Sequence, residues 1–186
     1  GEKFFSAGAD LNQFASGDKA AAREAARRFG EAFEALSAFR GVSIAAINGY
    51  AMGGGLECAL ACDLRIIEEH AQVALPEATV GLLPCAGGTQ NLPRLVGEGW
   101  AKRMILLGER IDADTAVRIG LAEQKVGKGE AKALAMEWAA KVGKHSPTSV
   151  AACKTLVQWT RSGSHASALV AERSEERRVG KEGRSR

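Results

Sequence analysis

Cysteine and histidine are scarce in this sequence, and neither is spaced as a metal site or a disulfide framework requires. The four cysteines and three histidines are spread along 186 residues. Only Cys58 and Cys62 come close together, four positions apart, where small residues of a helical core are the expected role. We therefore expect no metal site, no structural disulfide and a reducing, cytoplasmic location.

Long apolar runs and a large excess of one charge are also absent. No run approaches the roughly 20 apolar residues that cross a membrane, so we expect no membrane partner. The formal net charge is +3, but the last twelve residues, Glu175 to Arg186, hold five basic and three acidic groups, which leaves the rest of the chain at +1. Without a basic field we expect no nucleic-acid partner.

Hydrophobic residues make up 46% of the chain, which is ordinary for a soluble globular protein. In the first part of the chain, short β-branched segments alternate with helical ones, which favours an α/β arrangement. We predict an α/β core over residues 1–108 and a mainly helical region over residues 109–174. Residues 175–186 include almost nothing apolar to bury, so we expect this tail to be disordered or foreign to the fold.

A glycine triplet, Gly53 to Gly55, is the centre of the α/β part. A buried strand predicted in Val42 to Ile47 leads into it, and a predicted helix from Gly54 to Cys62 leaves it. The first amides of a helix have no partner within it, so they are free donors for an oxygen that carries negative charge. Glu57 follows about one helical turn later, among apolar residues. For this motif alone, a local cap or salt bridge made by Glu57 is an alternative interpretation.

An amphipathic helix is predicted from Asp18 to Phe39, with Asp18 as its N-cap. Its apolar stripe consists of four large side chains: Phe29, Phe33, Leu36 and Phe39. The opposite face interleaves cations and acids, which is typical of a solvated surface; its members are Lys19, Arg23, Glu24, Arg27, Arg28, Glu31 and Glu34. Before this helix, Gly1 to Leu11 is interpreted as the end of a strand and a loop of small residues, which expose their backbone to a neighbour.

Three motifs follow one another in a fixed order along the chain. They are Phe5-Ser6-Ala7-Gly8-Ala9-Asp10-Leu11, then Asn48-Gly49-Tyr50-Ala51-Met52-Gly53-Gly54-Gly55-Leu56-Glu57, then Pro76-Glu77 with Gly81-Leu82-Leu83-Pro84 and Ala86-Gly87-Gly88-Thr89-Gln90. Together they resemble the enoyl-CoA hydratase/isomerase (crotonase) superfamily over roughly residues 3–174. Several motifs in the family's order are far more specific than a single glycine run.

The resemblance implies a spiral of ββα units with a C-terminal helical region, which is used in assembly as a homotrimer or a dimer of trimers. It also implies an acyl-CoA thioester as the bound partner, as in fatty acid β-oxidation, and no cofactor beyond the coenzyme A of that substrate. Ala9 and Gly54 match the backbone amides of the family's oxyanion hole, which stabilises an enolate. Glu57 and Glu77 match the two catalytic acids, with Glu57 activating water and Glu77 exchanging a proton at the α-carbon.

The segment Ala7 to Asn12 matches the family's loop along the CoA part of the substrate, although a plain tight loop is the alternative. The substrate-binding residues implied are Ala7, Ala9, Asp10, Leu11, Asn12 and Gly54. Cys85 departs from the family, which usually has glycine there. Its backbone amide could still hold the water, whereas we expect its side chain to narrow the pocket. The family's first strands and helix, and most of its last helical segment after Ser174, are missing, so we expect an incomplete enzyme.

The function implied is hydration of a 2-enoyl-CoA to a 3-hydroxyacyl-CoA, or the reverse dehydration. One alternative is a Δ3,Δ2-enoyl-CoA isomerase, which in this family can work with a single acid at the Glu77 position; the presence of Glu57 favours the hydratase. A second alternative is a non-catalytic role, because one branch of the family binds RNA through a lysine-rich helix. Here the corresponding helix, Asp18 to Phe39, interleaves its cations with acids, which argues against RNA.

Overall fold

The computed structural model describes residues 1–10, 19–161 and 163–183. The chain forms two compact units. The first contains Gly1–Phe39 and Ser43–Glu137, and the second contains Arg40–Val42 and Trp138–Arg186. The predicted N-cap Asp18 and the predicted binding residues Leu11 and Asn12 lie outside the described residues.

Two sheets of mainly parallel strands form the centre of the first unit. They are β1 (Phe4–Ser6), β2 (Ile44–Ile47), β3 (Tyr50–Met52), β4 (Leu64–Glu68), β5 (Gln72–Ala74), β6 (Ile111–Asp112) and β7 (Gln124–Val126). One sheet has the order β1-β3-β5-β6 and the other the order β2-β4-β7. Of these neighbouring pairs, only β5 and β6 run antiparallel.

The strands β2 and β4 show why this part of the sequence forms a parallel sheet. Their register pairs Ala46 with Ile66 and Ile47 with Ile67. The three isoleucines of these pairs are completely buried. Parallel strands are usually covered on both faces, and β-branched side chains pack well there.

Helices follow the strands in a repeating order. They are α1 (Lys19–Ser37), α2 (Gly54–Ala61), α3 (Gly88–Leu106), α4 (Ala113–Arg118) and α5 (Ala131–Val142). β2, β3 and α2 form one ββα unit, β4, β5 and α3 form the next, and each unit gives one strand to each sheet. The predicted α/β class with ββα units is therefore confirmed. Within the described ranges, no helix has the length and apolar character needed to cross a membrane.

The segment before the glycine triplet differs from the prediction. We predicted that the strand in Val42 to Ile47 leads directly into the glycine turn, but β2 ends at Ile47 and β3 follows it in the other sheet. Between the two strands, a Cβ atom at Gly49 would clash with the carbonyl oxygen of Lys3. Glycine allows this close approach of two backbones. A strand as short as β3 has too few residues to show a period of two in the sequence.

The boundary between the two parts of the chain also differs from the prediction. We placed a mainly helical region from residue 109, whereas β6 pairs with β5 and β7 pairs with β4, so residues 109–137 belong to the first unit. Asp112 is the N-cap of α4, because one of its carboxylate oxygens accepts a hydrogen bond of 2.8 Å from the backbone N–H of Thr115.

The second unit is helical, as predicted. Its helices α6 (Pro147–Trp159) and α7 (His165–Gly183) pack against each other, and Ser146 caps α6. The tail of residues 175–186, which we expected to be disordered, is helical as far as Gly183 because α7 continues through it. Glutamate and arginine, which are frequent in this tail, have high helix propensity, so the helix extends without apolar residues to bury.

Candidate active site

Glycines bring two loops of the first unit into contact at the start of α2. Gly53, with φ 55° and ψ −126°, is the N-cap of this helix. Gly8, with φ 85°, lies so close that a Cβ atom on it would be 2.8 Å from the carbonyl oxygen of Met52 and 3.0 Å from the nitrogen of Gly54. A side chain at position 8 would therefore push the loop after β1 away from the first turn of α2.

This contact brings Ala9 of the loop close to Gly54 of the helix. A Cβ atom on Gly54 would lie 3.8 Å from the nitrogen of Ala9. Both residues line one cavity of the first unit. The amide of Gly54 belongs to the first turn of α2, whose donors have no partner within the helix. Two such amides are suited to bind an oxygen that carries negative charge.

Glu57 is buried in the same cavity wall, with 3% of its surface exposed. Its Oε1 atom accepts two hydrogen bonds, from the backbone N–H of Ala86 at 2.9 Å and from that of Gly88 at 2.8 Å. Among the described residues, no donor bonds its Oε2 atom. Burial raises the pKa of Glu57, and the two amide hydrogen bonds oppose this rise. One carboxylate oxygen is therefore fixed while the other is free to meet a ligand.

Gly88 makes this arrangement possible at the start of α3. A Cβ atom there would lie 2.9 Å from Oε1 of Glu57, 2.9 Å from Cβ of Pro84 and 3.0 Å from Cδ1 of Leu75. These distances are shorter than a carbon atom tolerates, so only glycine lets the amide of residue 88 reach the carboxylate.

Glu77 reaches the cavity from another element. It begins a 3₁₀ turn, Glu77–Val80, directly after Pro76. Its Oε1 atom lies 3.0 Å from the place that a Cβ atom on Gly53 would take. Its Oε2 atom is buried and has no partner in the described part of the chain. Burial raises the pKa of Glu77, its own backbone amide opposes this, and the charge of Glu57 raises it further.

The cavity that these residues share has a volume of about 520 Å³. Beside the two acids, its wall includes Cys85 and the apolar side chains of Val80, Leu82 and Leu83. These three apolar residues are exposed. Burial raises the pKa of the Cys85 thiol, and the charge of Glu57 acts in the same direction. The site combines two carboxyl groups, a pair of backbone amides and an apolar surface.

The structure brings most of the predicted site residues together. Those that line the cavity are Ala7, Ala9, Gly54, Glu57, Glu77 and Cys85. Asp10 is exposed and does not belong to this wall as the described residues form it. The expected contact of Asp10 with substrate therefore has no support in the cavity geometry.

One side of the cavity was missing from the sequence interpretation. It comes from α1, whose residues Ala22, Arg23, Ala26 and Phe29 line the cavity. We predicted that Arg23 lies on a solvated face; it is exposed, but it also borders the cavity. The spacing of Ala22, Ala26 and Phe29 marks one helix face, and this was the available indication of a surface that packs over something.

Several known proteins are similar to this chain over most of its length. The family model described as Enoyl-CoA hydratase/isomerase matches residues 1–182. The 2,3-dehydroadipyl-CoA hydratase of Escherichia coli is 40% identical over 171 residues, which are 92% of this chain and 66% of that protein. The short-chain-enoyl-CoA hydratase of Clostridium acetobutylicum is 39% identical over 157 residues, which are 84% of this chain and 60% of that protein. The chain thus spans less than two thirds of the length of these relatives.

Solved structures are similar in the same way. The structure of Pseudomonas aeruginosa DspI is 69% identical, with a TM-score of 0.92 over 97% of this chain and 73% of that one. The enoyl-CoA hydratase of Bacillus anthracis is 38% identical, with a TM-score of 0.91 over 95% of this chain and 69% of that one. These similarities extend over nearly all of the sequence, including both units.

Proposed function

The chain belongs to the enoyl-CoA hydratase/isomerase family, and on that premise we propose that it adds water to a 2-enoyl-CoA to give a 3-hydroxyacyl-CoA. The observation that carries this proposal is the shared cavity of Glu57 and Glu77, next to the adjacent backbone nitrogens of Ala9 and Gly54. Several relatives named for this kind of chemistry support it. The same site would catalyse the reverse dehydration.

In the proposed reaction, a water molecule lies between the two carboxyl groups. Glu57 takes a proton from the water as its oxygen bonds to the β-carbon, and Glu77 gives a proton to the α-carbon. Between these two proton transfers, negative charge develops on the thioester oxygen, and the amides of Ala9 and Gly54 stabilise this charge. One proton enters Glu57 while another leaves Glu77, so a proton exchange between them restores the starting state.

The environments of the two acids support these roles. Two amides stabilise the ionised form of Glu57, as a general base requires. Among the described residues, the carboxyl group of Glu77 has only its own amide as a stabilising donor, and the charge of Glu57 favours its protonated form. A pair of interacting acids near one water readily holds a single proton. We therefore assign that proton to Glu77.

The other parts of the proposal follow from the family. The bound partner is an acyl-CoA thioester, and no cofactor is needed beyond its coenzyme A. We also propose assembly as a homotrimer or a dimer of trimers, with the helices after residue 109 taking part. Sedimentation of the complete chain would check the assembly.

An isomerase is the second candidate, because the family name covers both activities. Migration of a double bond needs one group that moves a proton, and Glu77 alone could serve. The hydrogen bonds that fix Glu57 favour the hydratase, because they hold a second carboxylate in the cavity.

The test supplies the chain with a 2-enoyl-CoA and, separately, with a 3-enoyl-CoA. We expect the first to gain the mass of one water and to lose the absorbance of its conjugated double bond. Glu57→Gln should lower the rate of this hydration by about 10²–10⁴-fold. If the wild-type protein moves the double bond of the 3-enoyl-CoA but adds no water, the isomerase is the correct assignment. Full hydration by Glu57→Gln would remove Glu57 from the proposed mechanism.

A further inference from the structure

Arg23 is a part of the cavity wall that the proposed hydration does not use. It lines the cavity from α1, next to Ala22, Ala26 and Phe29. On a helix, ion pairs form between residues three or four positions apart. The residues at these distances from Arg23 are two alanines and two further cations: Lys19, Ala20, Ala26 and Arg27. No acid on this helix is therefore placed to neutralise it.

The other arginines of α1 are neutralised, which makes Arg23 different. Arg27 pairs with Glu24 at 2.8 Å and also with Glu31, and Arg28 pairs with Glu24 at 2.7 Å. The hydrogen bonds from Arg27 and Arg28 lower the pKa of Glu24 to about 2. In the described part of the chain, no ion pair joins Arg23 to an acid. A cation thus faces a cavity whose wall is otherwise apolar on this side.

The two acids of the cavity do not take the place of such a partner. Burial and the amides of Ala86 and Gly88 set the pKa of Glu57, whereas burial, its own amide and Glu57 set that of Glu77. Arg23 is not among the groups that shift either pKa. In the described part of the chain, no ion pair joins Arg23 to Glu57 or Glu77, and the buried Oε2 atom of Glu77 has no hydrogen-bond partner.

We propose that Arg23 binds an anionic group of the substrate, away from the reacting carbons, and thereby determines specificity. The inference rests on the proposed function only in that the cavity takes an acyl-CoA. Such a substrate has two sources of anionic oxygens: the phosphates of coenzyme A and, in a dicarboxylic acyl chain, the terminal carboxylate. The planar guanidinium binds both kinds of group through two parallel hydrogen bonds.

The experiment measures equilibrium binding, so it needs no turnover. Four saturated thioesters of equal acyl length are titrated into the complete chain by calorimetry. Two are coenzyme A esters, one ending in a methyl group and one in a carboxylate; the other two carry the same acyl groups on pantetheine, which lacks phosphates. The variants are Arg23→Gln and, as a matched control, Arg28→Gln, which removes the same charge from the same helix. Arg28 does not line this cavity.

We expect Arg23→Gln to raise the Kd about fivefold for the esters that carry the recognised group, the size typical of a solvent-accessible ion pair. Weaker binding of only the carboxylate-ended esters, on both carriers, identifies the acyl terminus. Weaker binding of both coenzyme A esters, but not of the pantetheine esters, identifies a phosphate. Arg28→Gln should change none of these Kd values.

Unchanged binding in Arg23→Gln for all four thioesters would overturn the inference. An equal rise of the Kd in Arg28→Gln would also overturn the inference, because the net charge of α1, rather than the position of Arg23, would then explain the weaker binding. These results are independent of the hydration assay. Suppose that the wild-type chain adds no water to a 2-enoyl-CoA, while Arg23→Gln still weakens binding of the esters that carry the recognised group. This result would contradict the proposed function but not the role of Arg23.

Discussion

The cavity holds its two acids in different ways on its inner wall and on its rim. The inner wall consists of Glu57 and the amides of Ala86 and Gly88; there the carboxylate is buried and fixed by two hydrogen bonds. The rim is the segment from Glu77 to Leu83, where one oxygen of Glu77 has no described partner and the apolar side chains are exposed. One region holds a charge in place, and the other leaves a carboxyl group and an apolar surface open to a ligand.

This difference matches the two proton transfers of a hydration, which need a base and an acid in different environments. A general base must remain ionised and point at one place, and both conditions need fixed donors. A proton donor must hold its proton near neutral pH, which burial without fixed donors favours. The rim also has to accept acyl groups, so its exposed leucines serve better than a tightly packed wall would.

Removing the acids should give the largest effects. We expect Glu57→Gln and Glu77→Gln each to lower kcat by about 10²–10⁴-fold, the range for one general acid or base. Neither variant should unfold, because glutamine keeps the shape and the acceptor oxygen of the side chain. Near-equal thermal melting of the variants and the wild type would show that the loss is chemical. A loss of less than tenfold in Glu77→Gln would contradict the assignment of the rim acid.

The pH dependence should separate the two acids more sharply. Because the pKa values of Glu57 and Glu77 are both raised above 4.5, we expect a bell-shaped profile of kcat/KM whose acidic limb lies above pH 4.5. Below this limb Glu57 is protonated and cannot accept the proton of water, and above the alkaline limb Glu77 is ionised and cannot donate one. The residual activity of Glu77→Gln should lack the alkaline limb. A profile without limbs would show that neither acid titrates in the reaction.

The packing of the inner wall can be disturbed by a substitution at Gly88. Gly88→Ala should lower the free energy of unfolding by about 1–3 kcal/mol, since its Cβ atom would lie 2.9 Å from Oε1 of Glu57. Gly99 lies in the second part of α3, beyond the non-helical Gly97 (φ 78°, ψ 162°), and has nothing within 4 Å of its Cβ position. Gly99→Ala should instead stabilise the protein by about 0.5–1 kcal/mol. Urea unfolding of both variants checks this, and equal destabilisation of the two would mean that the inner wall is not tightly packed.

The rim should respond through binding rather than stability. Leu83 is 66% exposed, so Leu83→Ala should change the free energy of unfolding by only about 0.5 kcal/mol or less. We expect it to raise the KM for long-chain enoyl-CoA about threefold to tenfold, because apolar contact with the acyl chain is lost. Leu107 is 72% exposed and is not part of the cavity wall. Leu107→Ala should leave KM unchanged, and the same KM for both variants would show that the acyl chain does not touch Leu83.

The start of α2, with the glycine triplet and Glu57, could be predicted from the sequence. The glycine triplet and the following acid lie at the start of one helix, so their proximity is a local property of the chain. The helix α2 begins at the predicted Gly54 and ends one residue before the predicted Cys62 for the same reason, since the glycine triplet marks its start. The contact between Glu57 and the amide of Gly88 was not predictable, because it joins segments that are distant in sequence.

The features that the sequence did not predict depend on contacts between distant segments. β6 and β7 have two and three residues, so they show no periodicity, and their partners in the sheets decide that they are strands. We placed Arg23 on a solvated face because its neighbours on α1 are charged. The sequence of α1 does not show that this helix lies beside the cavity, because tertiary packing determines its position. The prediction for the tail was wrong, because a scarcity of apolar residues prevents a hydrophobic core but does not prevent a helix.

The smallest effect should come from Cys85, between the inner wall and the rim. Burial, together with the charges of Glu57 and Glu77, raises the pKa of its thiol, so the side chain stays neutral and acts through its volume. We expect Cys85→Gly to widen the cavity and to raise kcat/KM about twofold to threefold for enoyl-CoA with a branch near the double bond. Cys85→Ser has nearly the same size and should keep the wild-type preference. If serine changed the preference as much as glycine does, the sulfur itself, rather than its volume, would act on the substrate.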